Sequence, residues 1–265
     1  MMRYLIFLFL TFVCIAQTPT VWWRADIDTL NDGVNFGRLA NWSDSQADIR
    51  DEKFLQSTLA FRPYISDTLG YSGIRFAGSQ FMVHSADSTI SINDGDWSFA
   101  GWFILNDTEN YHRIFINDYA ITTNKGWGID FQGNTNTLRF FVADGSGTYW
   151  VNKSDMVVTK NALTHIAISL DRDGSQIIRL NNVEVLNQST SNAVDIIPTN
   201  AFSHLGARLN GQTPMLGWWF DIRIYQGIAL TTAQMQNLYS SGVFDSNVVT
   251  DKKPGYGGYS GFNKY

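Results

Sequence analysis

Three glutamates, four histidines and several aromatic rings beside glycines are the residues of this 265-residue chain whose types could do chemistry. Two carboxylates at alternate positions of one strand face the same side, where they can act as acid and nucleophile on a glycosidic bond. Glu52, Glu109 and Glu184 lie far apart, and none is followed two residues later by Asp. Asp26/Asp28, Asp94/Asp96 and Asp171/Asp173 have the right parity but sit in Asp-, Asn- and Gly-rich contexts, where Asp serves turns. His84, His112, His165 and His204 are scattered singly without metal-ligand spacing. No Ser or Cys nucleophile motif surrounds His165, so a packed structural histidine is expected there. The expectation is a chain that is not an enzyme, with no catalytic residue, no metal ligand set and no cofactor.

The aromatic residues are the better lead. Trp127, Tyr149, Trp150, Trp218 and Trp219 flank Gly-rich turns, where a ring can be presented to solvent and stack on the C–H face of a sugar. "GSGTYWVN" (145–152) is the best single stretch: Gly145 and Gly147 loosen the turn, and in an extended strand Tyr149 and Trp150 point to opposite faces. Trp150 is the ring expected to face outward. The candidate ligand set is Trp150, Tyr149, Trp127 and Asn152, with the amide bonding hydroxyls; the competing reading is that these rings are core. Trp97 and Trp102, in "WSFAGWF", are expected in core and sheet packing.

These residues need a scaffold of strands. "IRFAG" (74–78), "WSFAGWFIL" (97–105), "YHRIFIN" (111–117), "GWGIDFQ" (126–132), "TLRFFVAD" (137–144), "LTHIAISLD" (163–171), "QIIRLNNVEVLN" (176–187), "FSHLGAR" (202–208) and "GWWFDIRIYQ" (217–226) are short apolar runs separated by turn signals. Strands at such intervals predict an all-β sandwich or barrel. In the 163–170 run, Thr164, Ile166, Ile168 and Leu170 form the more apolar face and are expected in the core. Gly174 can supply a positive φ at the following reversal, and Asn181-Asn182 tolerates the left-handed pair of a two-residue hairpin. One helix is predicted in "ALTTAQMQNLYSSG", capped by Thr231 or Thr232 and by Gly242, with Leu230, Met235, Leu238 and Tyr239 as its apolar face.

Composition agrees: 44% hydrophobic, 14% aromatic and 16% charged residues are enough for one large core. A net charge of −5 and the lack of a basic cluster exclude nucleic acid as an expected partner. Residues 1–16 combine one positive charge with the apolar run Tyr4–Val13 and end in Ala16, the layout of a secretory signal peptide too short to span a bilayer. The mature chain is then expected to carry no transmembrane span. Cleavage there would remove Cys14, the one cysteine, so no disulfide is expected. Residues 246–265 are rich in Gly and Tyr and read as a flexible tail.

"LTHIAISLDRDG…IIRLNNVEV" together with "FSHLGARLNGQTPMLGWWFDIRIYQGIALTTAQMQNLYSSG" resembles the laminin-G-like group of concanavalin-A-type jelly rolls, including single-domain proteins of phages and marine bacteria. The resemblance implies a jelly-roll β-sandwich of two antiparallel sheets over residues 18–245, with one short C-terminal helix. Many relatives bind calcium through loop carboxylates. Here the matching places read "FAGSQFMV" and "GARLNGQTPML", without one carboxylate, which leaves Asp94 and Asp96 as the remaining place for an ion. Two functions follow as expectations. One is a secreted or extracellular surface module binding a glycan or cell-surface polysaccharide, or adhesive. The other is a structural subunit of a surface or virion assembly with protein partners.

Overall fold

Asn181 and Asn182 both take positive φ, 49° and 67°, the left-handed pair that reverses a chain in two residues. That turn fixes the register of the strands on either side, and the rest of the fold is more of the same antiparallel pairing. The structure, a computed structural model, describes residues 19, 21–24, 29–31, 39–43, 53–84, 92, 95–117, 125–133, 135–144, 148–190, 203–207 and 211–243, with the backbone alone at 21, 24, 29–31, 39–43, 53, 59, 67, 125, 144 and 148–154.

In chain order the strands are β1 (Val21–Arg24), β2 (Thr29–Asn31), β3 (Leu39–Ser43), β4 (Lys53–Leu55), β5 (Tyr64–Thr68) and β6 (Tyr71–Ala77). There follow β7 (Met82–His84), β8 (Trp97–Leu105), β9 (His112–Asn117), β10 (Lys125–Gln132), β11 (Thr137–Asp144) and β12 (Thr148–Val157). The series closes with β13 (Leu163–Leu170), β14 (Ser175–Leu180), β15 (Val183–Ser189), β16 (Ser203–Leu205) and β17 (Leu216–Gln226), then the helix α1 (Thr232–Ser240). One sheet has eight strands in the order β15-β14-β13-β8-β17-β6-β5, with β1 also paired to β17. The other has nine, in the order β12-β11-β10-β9-β16-β7-β4-β3-β2. This is the jelly-roll sandwich expected from the sequence.

The core lies between the sheets and is dominated by rings. Trp127 stacks on Phe115 with centroids 4.9 Å apart and meets Trp97 edge-on at 4.5 Å. Ile166, Ile168 and Leu170 join this core, as their parity predicts. Their alternates His165, Ala167 and Ser169 are buried as well. The reason is α1, which with Leu230, Met235 and Leu238 packs on Ala100, Ala167 and Tyr225 over the outer face of the eight-stranded sheet.

Thr231 caps α1: its Oγ1 accepts from the Gln234 N–H at 3.3 Å, while Gln234 Oε1 accepts from the Thr231 N–H at 2.8 Å. Gly242 follows the helix with φ of 78°, and its N–H donates to the Tyr239 carbonyl at 3.0 Å. Gly174 does not supply a positive φ. A Cβ there would lie 2.3 Å from Asp171 Oδ2, so glycine is needed for closeness rather than for handedness. Asp171 and Asp173 serve this turn: Asp171 Oδ1 accepts from the Asp173 N–H at 3.1 Å, and the Asp171 carbonyl accepts from the Gly174 N–H at 3.4 Å.

Candidate functional site

Arg113, Asp130 and Arg139 sit in mid-strand among apolar neighbours, where a charge needs a partner. Cross-strand register supplies it. Asp130 of β10 stands opposite Arg113 of β9 and Arg139 of β11, and Arg139 stands opposite Asn152 of β12. A register shift between Ile129 and Asp130 produces the first of these pairings. Directly opposed residues share a face, so four adjacent strands carry one polar row. The next row reads Ile116, Gly128, Phe141, Trp150. Ile129, Phe131, Phe140 and Val142 point into the core, which puts both rows on the outer face of the nine-stranded sheet. A Cβ on Gly128 would lie 2.6 Å from Ile116 and 2.8 Å from Phe141, so those two side chains close over the glycine.

Asp130 is fully buried and is surrounded by donors. Its Oδ1 accepts from Arg139 Nε at 2.8 Å; its Oδ2 accepts from Arg139 Nη2 at 2.9 Å, from Arg113 Nη1 and from the Tyr111 hydroxyl. Arg139 Nη2 also donates to the Tyr111 oxygen at 2.6 Å. Both guanidinium groups lie over the Tyr111 ring, at 4.7 Å for Arg113 and 5.2 Å for Arg139. Burial, and then the charge of Asp130, push the Tyr111 phenol above its ordinary range, so it remains a donor. For Arg139, burial works against the charge, but the bonds to Asp130 outweigh it and raise the pKa.

The loop entering β9 is braced from the same side. Asp107 accepts from the Glu109 N–H at 2.8 Å and from the Asn110 amide at 2.7 Å. Burial would raise the Asp107 pKa; the Asn110 and Glu109 bonds and the nearby His112 outweigh it and lower the pKa. His112 donates from Nδ1 to the Pro214 carbonyl at 2.6 Å and brings Nε2 to 3.4 Å from Asp107.

The cluster presents fixed donors around one enclosed carboxylate. Asp130 is sealed from solvent, and Tyr111 holds its proton. Glu109 lies in the exposed loop before β9, while Glu184 lies on β15 of the other sheet, 3.5 Å from Arg179. Among the described residues no group of three or more His, Cys, Asp or Glu side chains is placed to hold a metal ion. Asp96 accepts the Arg172 N–H at 3.0 Å and braces a loop; Asp94 lies outside the described residues.

Of the rings singled out in the sequence, Trp127 and Trp219 are fully buried in the core and present nothing to solvent. The nearby glycines lie within strands rather than in open loops: Gly128 is covered by Ile116 and Phe141 of the adjacent strands, and Gly217 lies against the Ile104 backbone of β8. Trp218 is half-buried, donating to Ser66 at 2.8 Å beneath Arg75. Trp97 and Trp102 are buried as expected. Tyr149, Trp150 and Asn152 belong to β12, the edge strand, opposite Val142, Phe141 and Arg139. The register therefore brings the Trp150 and Asn152 positions to the ends of the two rows, and it sets Tyr149 opposite a core residue. Tyr111, Arg113, Asp130 and Arg139 were missed in the sequence. Their signal, a charge interrupting an apolar strand in "HRIFIN", "GIDFQ" and "LRFFV", becomes legible only once the register is known.

A model of the laminin-G type of the concanavalin A-like lectin/glucanases superfamily matches residues 77–236, more than half the chain and all of β8 to β17. No curated protein matches the sequence. Among solved structures, the binding domain of botulinum neurotoxin serotype G is similar with a TM-score of 0.59 at 14% identity, over 84% of this chain and 51% of that one. The serotype D ligand-binding domain, solved with N-acetylneuraminic acid, gives 0.60 at 11% identity, over 84% and 51%. The binding domain of Paraclostridial Mosquitocidal Protein 1 gives 0.61 at 14% identity, over 84% and 52%. The chain thus spans about half the length of these structures, and at such identities the likeness is one of fold.

Proposed function

We propose, starting from the chain's membership of the concanavalin A-like lectin/glucanases superfamily, that it is a non-catalytic recognition module that binds a glycan or cell-surface polysaccharide. It acts as a secreted or surface-displayed protein, released after Ala16. The ligand sits on the outer face of the nine-stranded sheet, at the β11–β12 edge. Trp150 is the stacking ring and Asn152 the amide that bonds hydroxyls, with Arg139 and Tyr111 flanking; Tyr149, whose register position is opposite the core residue Val142, stands outside this set.

The observation that carries this reading is the pair of cross-strand rows, Arg113–Asp130–Arg139–Asn152 and Ile116–Gly128–Phe141–Trp150. They bring the two positions chosen from sequence next to a rigid cluster of donors and an aromatic ring. Sugar sites combine an apolar surface with a few fixed polar groups; Ile116 and Phe141 are themselves buried, so in this reading Trp150 supplies the apolar surface and the partly exposed Arg139 and Tyr111 supply the polar groups. A fold neighbour solved with N-acetylneuraminic acid supports a sugar as the ligand class and nothing finer, since this chain matches half of that one. The absence of a catalytic role is supported by the sealed Asp130 and by the separation of Glu109, in the loop before β9, from Glu184, on β15 of the eight-stranded sheet.

A glycan array probed with the purified chain is the test. Binding to a defined set of glycans is the expected result. A second reading, a subunit of a surface or virion assembly, is favoured by Val157 and Val183, which are 49% and 64% exposed on the edge strands β12 and β15. An array without binding, together with a symmetric particle in native material, would replace the first reading by the second.

A further inference from the structure

Beneath α1 the outer face of the eight-stranded sheet holds a second polar cluster, separate from the first. His165 of β13 stands opposite Trp102 of β8, which stands opposite Asp221 of β17. Asp221 is closed off by its neighbours. Trp22 donates Nε1–H to Oδ1 at 2.7 Å, and Arg223 donates from Nη2 to Oδ2 at 2.7 Å and from Nε to both oxygens at 3.1 and 3.2 Å. The Arg223 guanidinium also lies 4.2 Å over the Trp22 ring. Both charges of this pair are almost fully buried.

His165 stands beside the pair without joining it. Its ring lies 4.7 Å from Trp102 and 5.7 Å from Tyr239 of α1, and those two rings stack on one another at 5.4 Å. The residue is 2% exposed, and its Nδ1 has no hydrogen-bond partner. Its backbone is pinned at both ends by Asn181, whose Oδ1 accepts the His165 N–H at 2.8 Å and whose N–H donates to the His165 carbonyl at 2.9 Å. A pocket lined by Ala100, Gly101, Trp102, Asp221, Arg223 and Leu238 adjoins the ring and is too tight to hold a water molecule.

The groups that face the ring decide what a proton would meet. From β17 come Arg223 and the occupied Asp221; from α1 comes the Tyr239 ring; from β8 comes Trp102. Along the neighbouring row Arg179 bonds the Asn182 carbonyl and lies 3.5 Å from Glu184. An imidazolium at this position would have an unpartnered Nδ1–H, no open carboxylate and a guanidinium as its neighbour. Burial first, and Arg223 second, push the His165 pKa down to about 3.

We propose that His165 makes the docking of α1 acid-labile: a proton on its ring is incompatible with the docked helix, so acid lifts residues 232–240 from the sheet and bares the apolar surface around Ala100, Ala167 and Tyr225. With the helix lifted, the ring meets water and titrates near 6.5. Between that value and about 3 the lifted state holds one more proton than the docked state. Lifting is therefore favoured as the pH falls, with the equilibrium constant rising about tenfold per pH unit; above pH 6.5 it is flat.

Hydrogen exchange of the whole chain, followed by mass spectrometry in peptides covering 228–243 and corrected for intrinsic rates, reads this equilibrium. In the wild type the helix opening constant should rise about tenfold per unit from pH 6 to pH 4.5. In His165→Gln the rise should vanish, while Leu238→Ala should raise opening at every pH and keep the slope. A flat wild-type profile, or an unchanged slope in His165→Gln, would overturn the proposal. If His165→Gln does not fold, NMR of labelled histidine in the wild type decides: a His165 signal constant from pH 7 to pH 4.5 supports the proposal, and a titration near 6.5 contradicts it.

Discussion

Asp130 and Arg139 meet across β10 and β11 as a two-point pair, Nε to Oδ1 at 2.8 Å and Nη2 to Oδ2 at 2.9 Å, on the face of the sheet away from the core. A fork-to-fork pair fixes both planes, so Arg139 is held in one geometry beside the β12 edge. The Tyr111 hydroxyl binds both members, which makes the phenol part of the same rigid unit.

Removing the carboxylate tests how much the cluster holds together. Asp130→Asn leaves Arg113 and Arg139 without their counter-charge in a face where Arg113 is 9% and Arg139 18% exposed. The expected loss is about 3 kcal/mol, the lower end for breaking a buried pair from one side because Arg139 keeps some water. The urea midpoint measures it. A loss under about 0.5 kcal/mol would mean the cluster is a surface ornament.

Alkaline pH gives an independent reading of the same unit. Tyr111 has a folded pKa above its ordinary value of 10, and burial raises that of Tyr225 to about 12. Groups raised in this way bind a proton more tightly in the folded chain. Their contribution is complete below pH 10 and is lost as the pH climbs above it. Urea midpoints of the wild type should therefore fall from about pH 10 upward. Tyr111→Phe should fall less steeply over the same range; an unchanged slope would show that Tyr111 ionises freely.

The parts of this fold legible in the sequence were those set locally. Ile166, Ile168 and Leu170 announced the core face by parity, and Asn181-Asn182 announced the hairpin by its tolerance of left-handed backbone. Thr231 and Gly242 announced the helix ends by capping chemistry. What depends on pairing between distant segments was not legible. The Arg113–Asp130–Arg139 row draws on three strands and a register shift, and no single segment contains it. Trp127 and Trp219 are hard to place for the same reason: a Trp near glycine looks alike whether the glycine opens a loop or lies within a strand covered by its neighbours. The hairpin of β5 and β6 was half-visible, since "YISDT" lacks the apolar alternation that marks a half-buried strand.

The Asn turn makes its own prediction. With φ of 67° at Asn182, Asn182→Gly should fold with stability within a few tenths of a kcal/mol of the wild type, because glycine takes that conformation freely. Asn182→Val should cost about 1–2 kcal/mol, the penalty of a β-branched residue in left-handed backbone. Thermal unfolding of the two variants separates the outcomes; equal midpoints would contradict the assigned turn.

The central claim is that the β11–β12 edge of the nine-stranded sheet is where this chain meets its ligand. Isothermal titration of the strongest glycan from an array, against wild type and Trp150→Ala, tests it most directly. Platforms of this kind draw their affinity from a few aromatic anchors, so Trp150→Ala should weaken binding about tenfold or more, equivalent to about 1.4 kcal/mol, with the unfolding midpoint little changed. Equal affinity in the two proteins would contradict the assignment and move the ligand elsewhere on the sandwich.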